Sequence, residues 1–583
     1  VVPEEEVVVP EEEVVAPTDD TPKYGGVLKI GFGEDHTSIT EGPVKEGSDR
    51  DKPFNFEQLW VGDWTRGNAG GYGTNEASWR ARVDIWSLNM GLIAESWELP
   101  TEVEGETATV IYHIRQGVHW ALNPDSEASR LVGGREMTVD DVLFSMNVVI
   151  TEKWASIYTG NPNLRVTKIT SPAPWTIKME IPWEFFQEAV SRFGSNVHIV
   201  PPEVLEEYGN MYDWKTWVGT GPFMLTDIVT GSTMTYVRNP NYWMKDPIGP
   251  GKGNQLPYMD GVKLLMIPDV GTLYAAMRTA KLDWIGGDMG VEILYEDVDQ
   301  IKKTTPQLLS YPQSIGRVDG GIALKLDTPP YDDVRVRRAM LMGIDFESIK
   351  NDLYGGEAQI ITFPQPYVKE YAGAYLGLDD PEMPASVKEL YTYNPEKAKA
   401  LLAEAGYPDG FKTNLIIEGK AEYIDYYSIY ADMWSRIGVD CEIKPLEPAS
   451  FQSARNTATF DQMASYHKPK IYQMYQGRNM YPPDGNRNPS GIDDPVVTEA
   501  VHEMQLAAGL GNLDEANRLH KEMLKHVLYQ AWTVPRVQPP FYTLTWPWLK
   551  NYNGELGNSS GTGGSCWYNY AWLDLELKES MGH

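Results

Sequence analysis

Apolar residues recur along this chain at two spacings, and each spacing marks a kind of element. In "YNPEKAKALLAEAGYPDGFK", which begins at Tyr391, Ala398, Leu401, Leu402 and Ala405 fall at i, i+3, i+4 and i+7, one face of a helix. Asn394 supplies its cap and Pro395 suits its first turn. Gly406 is placed to end it, and Pro408-Asp409-Gly410 reads as the following turn. "MTVDDVLFSMNVVI", with Thr138 as cap, predicts another helix, as do "DDVRVRRAMLMGID" and "LDEANRLHKEMLKHVLYQ". Strand patterns lie between them. Val27, Leu28 and Ile30 in "YGGVLKIGFGED" form a short strand after a glycine turn. "ATVIYHIRQGVHW" predicts a strand pair turning near Gln116-Gly117, and "TMTYVRNPNYW" a strand leaving into an Asn-Pro turn. "GNSSGTGGS" reads as a loop. Strands and helices alternate to the C-terminus with long spans between like elements, which predicts α/β or α+β lobes.

The first residues depart from this pattern. "VVPEEEV" occurs twice in succession, and Pro3, Pro10 and Pro17 forbid a continuous helix. Residues 1–20 hold six Glu and two Asp without Lys or Arg, a local charge of −8. Such a segment is expected to be an extended, self-repelling linker between an anchor and the folded body. An alternative uses its Val-rich pieces as strands paired to a neighbour's sheet edge. The full chain of 583 residues is long enough for two or more cores. Its net charge of −32 repels phosphate backbones and argues against nucleic acid. Trp (19) and Tyr (33) outnumber Phe (14), a bias that suits core packing or contact with peptides and sugars. No run of eighteen apolar residues exists. A chain starting at Val1 fits a mature, processed protein as well as a cytoplasmic one.

Chemical motifs fail on inspection. Cys441 and Cys566 are the only cysteines, too few for a disulfide framework or a zinc site, although one bridge between them stays open. His502-Glu503 begins a zinc-protease pattern that Leu506 breaks. His520 and His526 are six apart and do not share a helix face. "GNSSG" around Ser559 sits in a glycine loop, not at a strand-to-helix elbow. "GFGEDH" lacks the third glycine of a dinucleotide fingerprint, and "DGNRN" from Asp484 lacks the rest of a calcium loop. No catalytic residue, metal or cofactor is expected, and the chain reads as a non-enzyme.

An ordered series of motifs remains: "GLIAESWE", "YHIRQGVHW", "MTVDDVLFSM", "GTGPFMLTD", "VRNPNYW", "LPYMDGVKLLMIPD", "AAMRTAKLDW", "PPYDDVRVRRAMLMGID", "YNPEKAKALLAEAGYPDG" and "MWSRIGVDCEIKPLE". Together they resemble the extracytoplasmic solute-binding proteins of peptide/nickel ABC importers, from about Tyr24 to Leu549. The resemblance implies an α/β fold of two lobes joined by two crossing segments, with a solute cleft that shuts by hinge motion. It assigns 21–56, 190–312 and 538–583 to lobe 1, 57–189 to an inserted sub-domain and 313–537 to lobe 2. The crossings fall near Tyr311-Pro312-Gln313 and Val534-Pro535-Arg536. It also implies an extracytoplasmic receptor, in the periplasm or on the cell surface, that delivers solute to importer permease subunits. Membrane attachment is through a tether or a lipid anchor outside this chain. A monomer is expected, with a tail-mediated oligomer as the variant.

By the same resemblance the cleft draws on Glu34, Asp35 and His36 after the first strand, and on Trp60 and Trp64. The second lobe contributes Arg455, Tyr466, His467 and Lys470. Peptide binders of the family place an aspartate after this aromatic wall to hold the peptide ammonium. Here His467-Lys468-Pro469-Lys470 stands there, and lysine repels an ammonium and suits an anion, unless Asp484 or Asp493 serves instead. Oligopeptide and oligosaccharide-like ligands are therefore rivals, with a metal chelate third. The competing classes are an assembly protein that uses the acidic tail and the insert around "GNAGGYGTNEASWR", and a cleft hydrolase.

Overall fold

The alternation in "TATVIYHI" becomes the strand Thr107–Ile114, whose Ala108, Val110, Tyr112 and Ile114 are buried. Its expected partner beyond Gln116-Gly117 does not form. The chain turns at Gly117 (φ +75°), but both edges of this strand are already filled, by Ala94–Glu98 and Thr176–Pro182. The continuation keeps only one isolated bridge, His119 with Glu136. The computed structural model describes residues 21–33, 43–44, 51–81, 83–313, 321–465, 488–557 and 564–583.

In chain order the strands are β1 (Val27–Phe32), β2 (Trp60–Gly62), β3 (Asn89–Gly91), β4 (Ala94–Glu98), β5 (Thr107–Ile114), β6 (Lys168–Ala173), β7 (Thr176–Pro182), β8 (Phe223–Val229), β9 (Thr233–Arg238) and β10 (Gly261–Met266). They continue with β11 (Trp284–Ile285), β12 (Leu309–Gln313), β13 (Gly321–Leu324), β14 (Phe411–Glu418), β15 (Val439–Leu446), β16 (Met463–Ser465), β17 (Thr533–Pro535) and β18 (Phe541–Thr545). Two larger sheets define two lobes. The first has the order β12-β18-β11-β1-β10-β9-β8, and the second β15-β14-β16-β13-β17. A four-stranded sheet, β4-β5-β7-β6, sits beside the first lobe. In the first lobe β1 runs parallel to β10 and β11; in the second β14 runs parallel to β15 and β16. The chain crosses from the first of the two larger sheets to the second between β12 and β13 and returns between β17 and β18.

The helices follow the apolar spacing. Thr138 and Asp141 form a reciprocal capping box on the helix Val139–Thr151. Asn394 accepts from the Lys397 N–H at 3.0 Å and starts the helix Pro395–Glu404, which buries Ala398 and Leu402. Gly406 (φ +98°) leads out of that helix, and the Gly410 N–H closes the next turn on the Tyr407 carbonyl at 3.0 Å. Asp333 and Asn512 cap the helices Val334–Met342 and Leu513–Gln530.

Most of the aromatic excess is core. Trp60, Trp64, Trp79, Trp120, Trp284, Trp434, Trp546, Trp548 and Trp572 are all fully buried. One apolar core fills the first lobe and its sub-domain and a second fills the other lobe. A third joins Ala77–Ile85, between β2 and β3, to the second lobe. No disulfide joins Cys441 and Cys566, and burial pushes the Cys441 thiol up to about 12.

Candidate functional site between the lobes

The parallel strands decide where a site can lie. The segments that follow β11 and β14 line a cavity with residues of both lobes, and loops beyond strand ends carry side chains without breaking a ladder. This cavity measures about 450 Å³. The first lobe lines it with the turn after β11 and the start of the helix Tyr295–Thr304. The second lobe lines it with Leu353, Tyr354 and the opening turns of the helix Ala421–Ser435, which follows β14. Its floor is the second crossing, Arg536 through Pro540.

Rings and carboxylates dominate this cavity. Tyr295, Tyr354, Tyr423, Tyr426 and Phe541 wall it, while Glu292, Glu296, Glu422 and Asp425 surround it. Arg536 lies over the Tyr426 and Tyr423 rings, 4.6 and 5.2 Å from their centroids. Four carboxylates against one guanidinium leave a formal charge of −3. A cavity so lined attracts a cation twice over, through its carboxylates and through the faces of its rings. The lobes also touch beside it. Tyr295 meets Tyr354 edge-on at 6.2 Å, and the Tyr542 hydroxyl donates to Glu357 at 2.9 Å. A larger cavity of about 640 Å³ is lined by residues 121–129 and 208–226 and involves no residue of the second lobe.

Of the residues expected to meet solute, Trp60, Trp64 and Arg455 are described, and none of them lines this cavity. Trp60 is 1% exposed, packed between Trp97 and Tyr112 at 4.6 and 5.8 Å. Trp64 is equally buried and lies flat on Tyr570 at 4.3 Å. Both rings are enclosed by core and offer no face to a solute; the apolar side of the chain around β2 packs inward. Arg455 ends the helix Pro448–Asn456 and donates to Asn456 at 2.7 Å. Glu34, Asp35, His36, Tyr466, His467, Lys470 and Asp484 lie outside the described residues, and Asp493 is exposed. The tyrosine-rich "YIDYYSIY" that walls the cavity has helical spacing in the sequence, which reads as core. Its position after a parallel strand is what exposes Tyr423 to the cavity.

Two carboxyls away from this cavity are perturbed. Glu57, 3% exposed, is held up to about 7 by burial, against the pull of hydrogen bonds from Trp243 and Tyr242. Glu555, 1% exposed, is also raised to about 7 by burial; the Asn553 N–H, its own backbone N–H and the nearby Arg80 charge oppose the shift. No cluster of metal-ligating side chains occurs among the described residues. No described helix is long and apolar enough to cross a membrane.

Comparison with known proteins gives a consistent set of likenesses. Residues 90–494 match the family described as bacterial extracellular solute-binding proteins, family 5 middle. Heme-binding protein A of Haemophilus influenzae is 25% identical over 501 residues, covering 79% of this chain and 81% of that protein. Among solved structures, the ABC transporter-associated periplasmic binding protein DppA from Helicobacter pylori, in complex with the peptide STSA, aligns with a TM-score of 0.66. It is 19% identical and covers 95% of this chain and 99% of that one. HbpA2 from Haemophilus parasuis aligns at 0.66 with 20% identity, covering 92% and 99%.

Proposed function

We propose a peptide receptor, on the footing that this chain belongs to the bacterial extracellular solute-binding proteins of family 5. Proteins of this family are extracytoplasmic and hand their solute to ABC importers, and the two-lobed fold is theirs. The solute is a peptide with a free amino terminus, held between the lobes with its ammonium in the acidic, tyrosine-walled cavity. That cavity carries the reading, because both lobes and the second crossing build it and its charge is opposite to an ammonium. A peptide in the DppA relative agrees with the class of ligand. The ammonium seat is then Glu292, Glu422 and Asp425. Lys468 and Lys470 suit the carboxylate end of the same peptide. The chain acts by binding and release, without turnover.

Native mass spectrometry of the purified protein identifies any co-purified ligand by mass. Calorimetry with free and N-acetylated tri- to pentapeptides tests the ammonium directly. Tighter binding of the free peptides is expected; equal affinity for both forms, or a co-purified solute without an amine, overturns the reading. In the insert on which the assembly alternative draws, Ala77 and Trp79 pack against the chain's own second lobe.

A further inference from the structure

Between β2 and β3 the chain leaves the first lobe and runs into the second. Ala77, Trp79, Ala81, Val83 and Ile85 are all buried in one cluster with Phe363, Val368, Tyr371, Val501, Met504 and Trp532. Every second residue joins this cluster, and the backbone turns at Trp79 (φ +54°). The second lobe adds polar clasps. Glu370 Oε1 accepts from the Ser78 N–H at 2.6 Å, the Ser78 hydroxyl at 2.9 Å and the Trp79 N–H at 3.1 Å. The Tyr371 hydroxyl accepts from the Asp84 N–H at 2.7 Å, and Lys369 Nζ donates to the Asn75 carbonyl at 3.0 Å. The same residues are also held by the first lobe. Trp79 Nε1 donates to the Asp63 carbonyl at 2.9 Å, the Leu556 N–H to the Trp79 carbonyl at 2.7 Å, and Arg80 Nε to the Asn553 carbonyl at 3.0 Å.

We propose that residues 75–81 and 83–85 are a latch, carried by the first lobe and caught by Glu370 and Tyr371 of the second, that holds the lobes together with no solute bound. Opening here strips the Ser78, Trp79 and Asp84 amides of their acceptors and turns five apolar side chains toward water. Both changes oppose opening, and neither involves the solute cavity. Release of the latch therefore limits solute entry. The inference rests on the receptor reading only in that the lobes part to admit a solute.

The test needs no ligand. Hydrogen exchange of the ligand-free full chain is followed by mass spectrometry in peptides covering Ser78-Trp79 and, separately, Asp84. Glu370→Ala removes the acceptor of Ser78 and Trp79 and leaves Tyr371 in place. If the segment releases as a unit, exchange accelerates about tenfold or more in both peptides, and the radius of gyration rises. Glu370→Gln, which keeps an acceptor oxygen, should restore slow exchange. Acceleration confined to Ser78-Trp79, or none in either peptide, overturns the latch. Should Glu370→Ala fail to fold, Tyr371→Phe provides the reciprocal arm: it removes the acceptor of Asp84 and keeps Glu370, and unchanged exchange at Ser78-Trp79 overturns the proposal. Failure of peptide binding leaves these outcomes readable, so the two readings fall separately.

Discussion

Glu57 shows what burial does to a single carboxyl. Its unfolded value lies near 4.5 and its folded value near 7. The folded chain binds this proton more tightly, so the group's stabilisation is complete below about 4.5 and is lost as pH rises through 7. Glu57→Gln should flatten that part of the stability curve, by up to about 3 kcal/mol between the two pH values. Denaturant melts at pH 5 and pH 8 measure it; an unchanged pH slope in the variant rejects the assignment. In the interlobe cavity, Glu422 and Asp425 are exposed, so each should contribute modestly. Glu422→Gln and Asp425→Asn are each expected to cost about 0.5–1 kcal/mol in binding a free peptide, roughly two- to fivefold in affinity. An N-acetylated peptide should show no such loss.

At the scale of elements, caps and spacing settle the helices. Asn394→Ala removes the acceptor for the Lys397 N–H and should destabilise the second lobe by about 1 kcal/mol, read as a lower melting temperature with binding intact. That helix was legible in the sequence because cap, apolar stripe and terminal glycine are all local. The failed partner of β5 was not, since an alternating run does not say which sheet edges remain open. The strap between β2 and β3 stands between these cases. "ASWRARVDI" alternates apolar and polar residues throughout, a visible strand signal, yet the face it buries belongs to another lobe. Periodicity reports that a side is buried and never against what.

Across the whole molecule, the third apolar cluster couples two lobes that their separate cores would otherwise let unfold independently. A single calorimetric transition is expected for the wild-type chain. Ala81→Glu sets an unpaired charge in that cluster and should lower the melting temperature and separate the lobes into two transitions. Two transitions in the wild type would show that the strap does not couple them.

The sequence alone determined the α/β class, the helices with their caps, and the family, because each is written in local pattern or in an ordered run of motifs. It did not determine which aromatics meet solute. Trp60 and Trp64, expected at the cleft, are enclosed by Trp97, Tyr112 and Tyr570, residues distant in the chain. Tyr423 and Arg536 became cavity walls only when β14 and the second crossing brought them to one boundary. Burial and charge at a site between lobes are sums over segments far apart in sequence, and those sums exist only once the chain has folded.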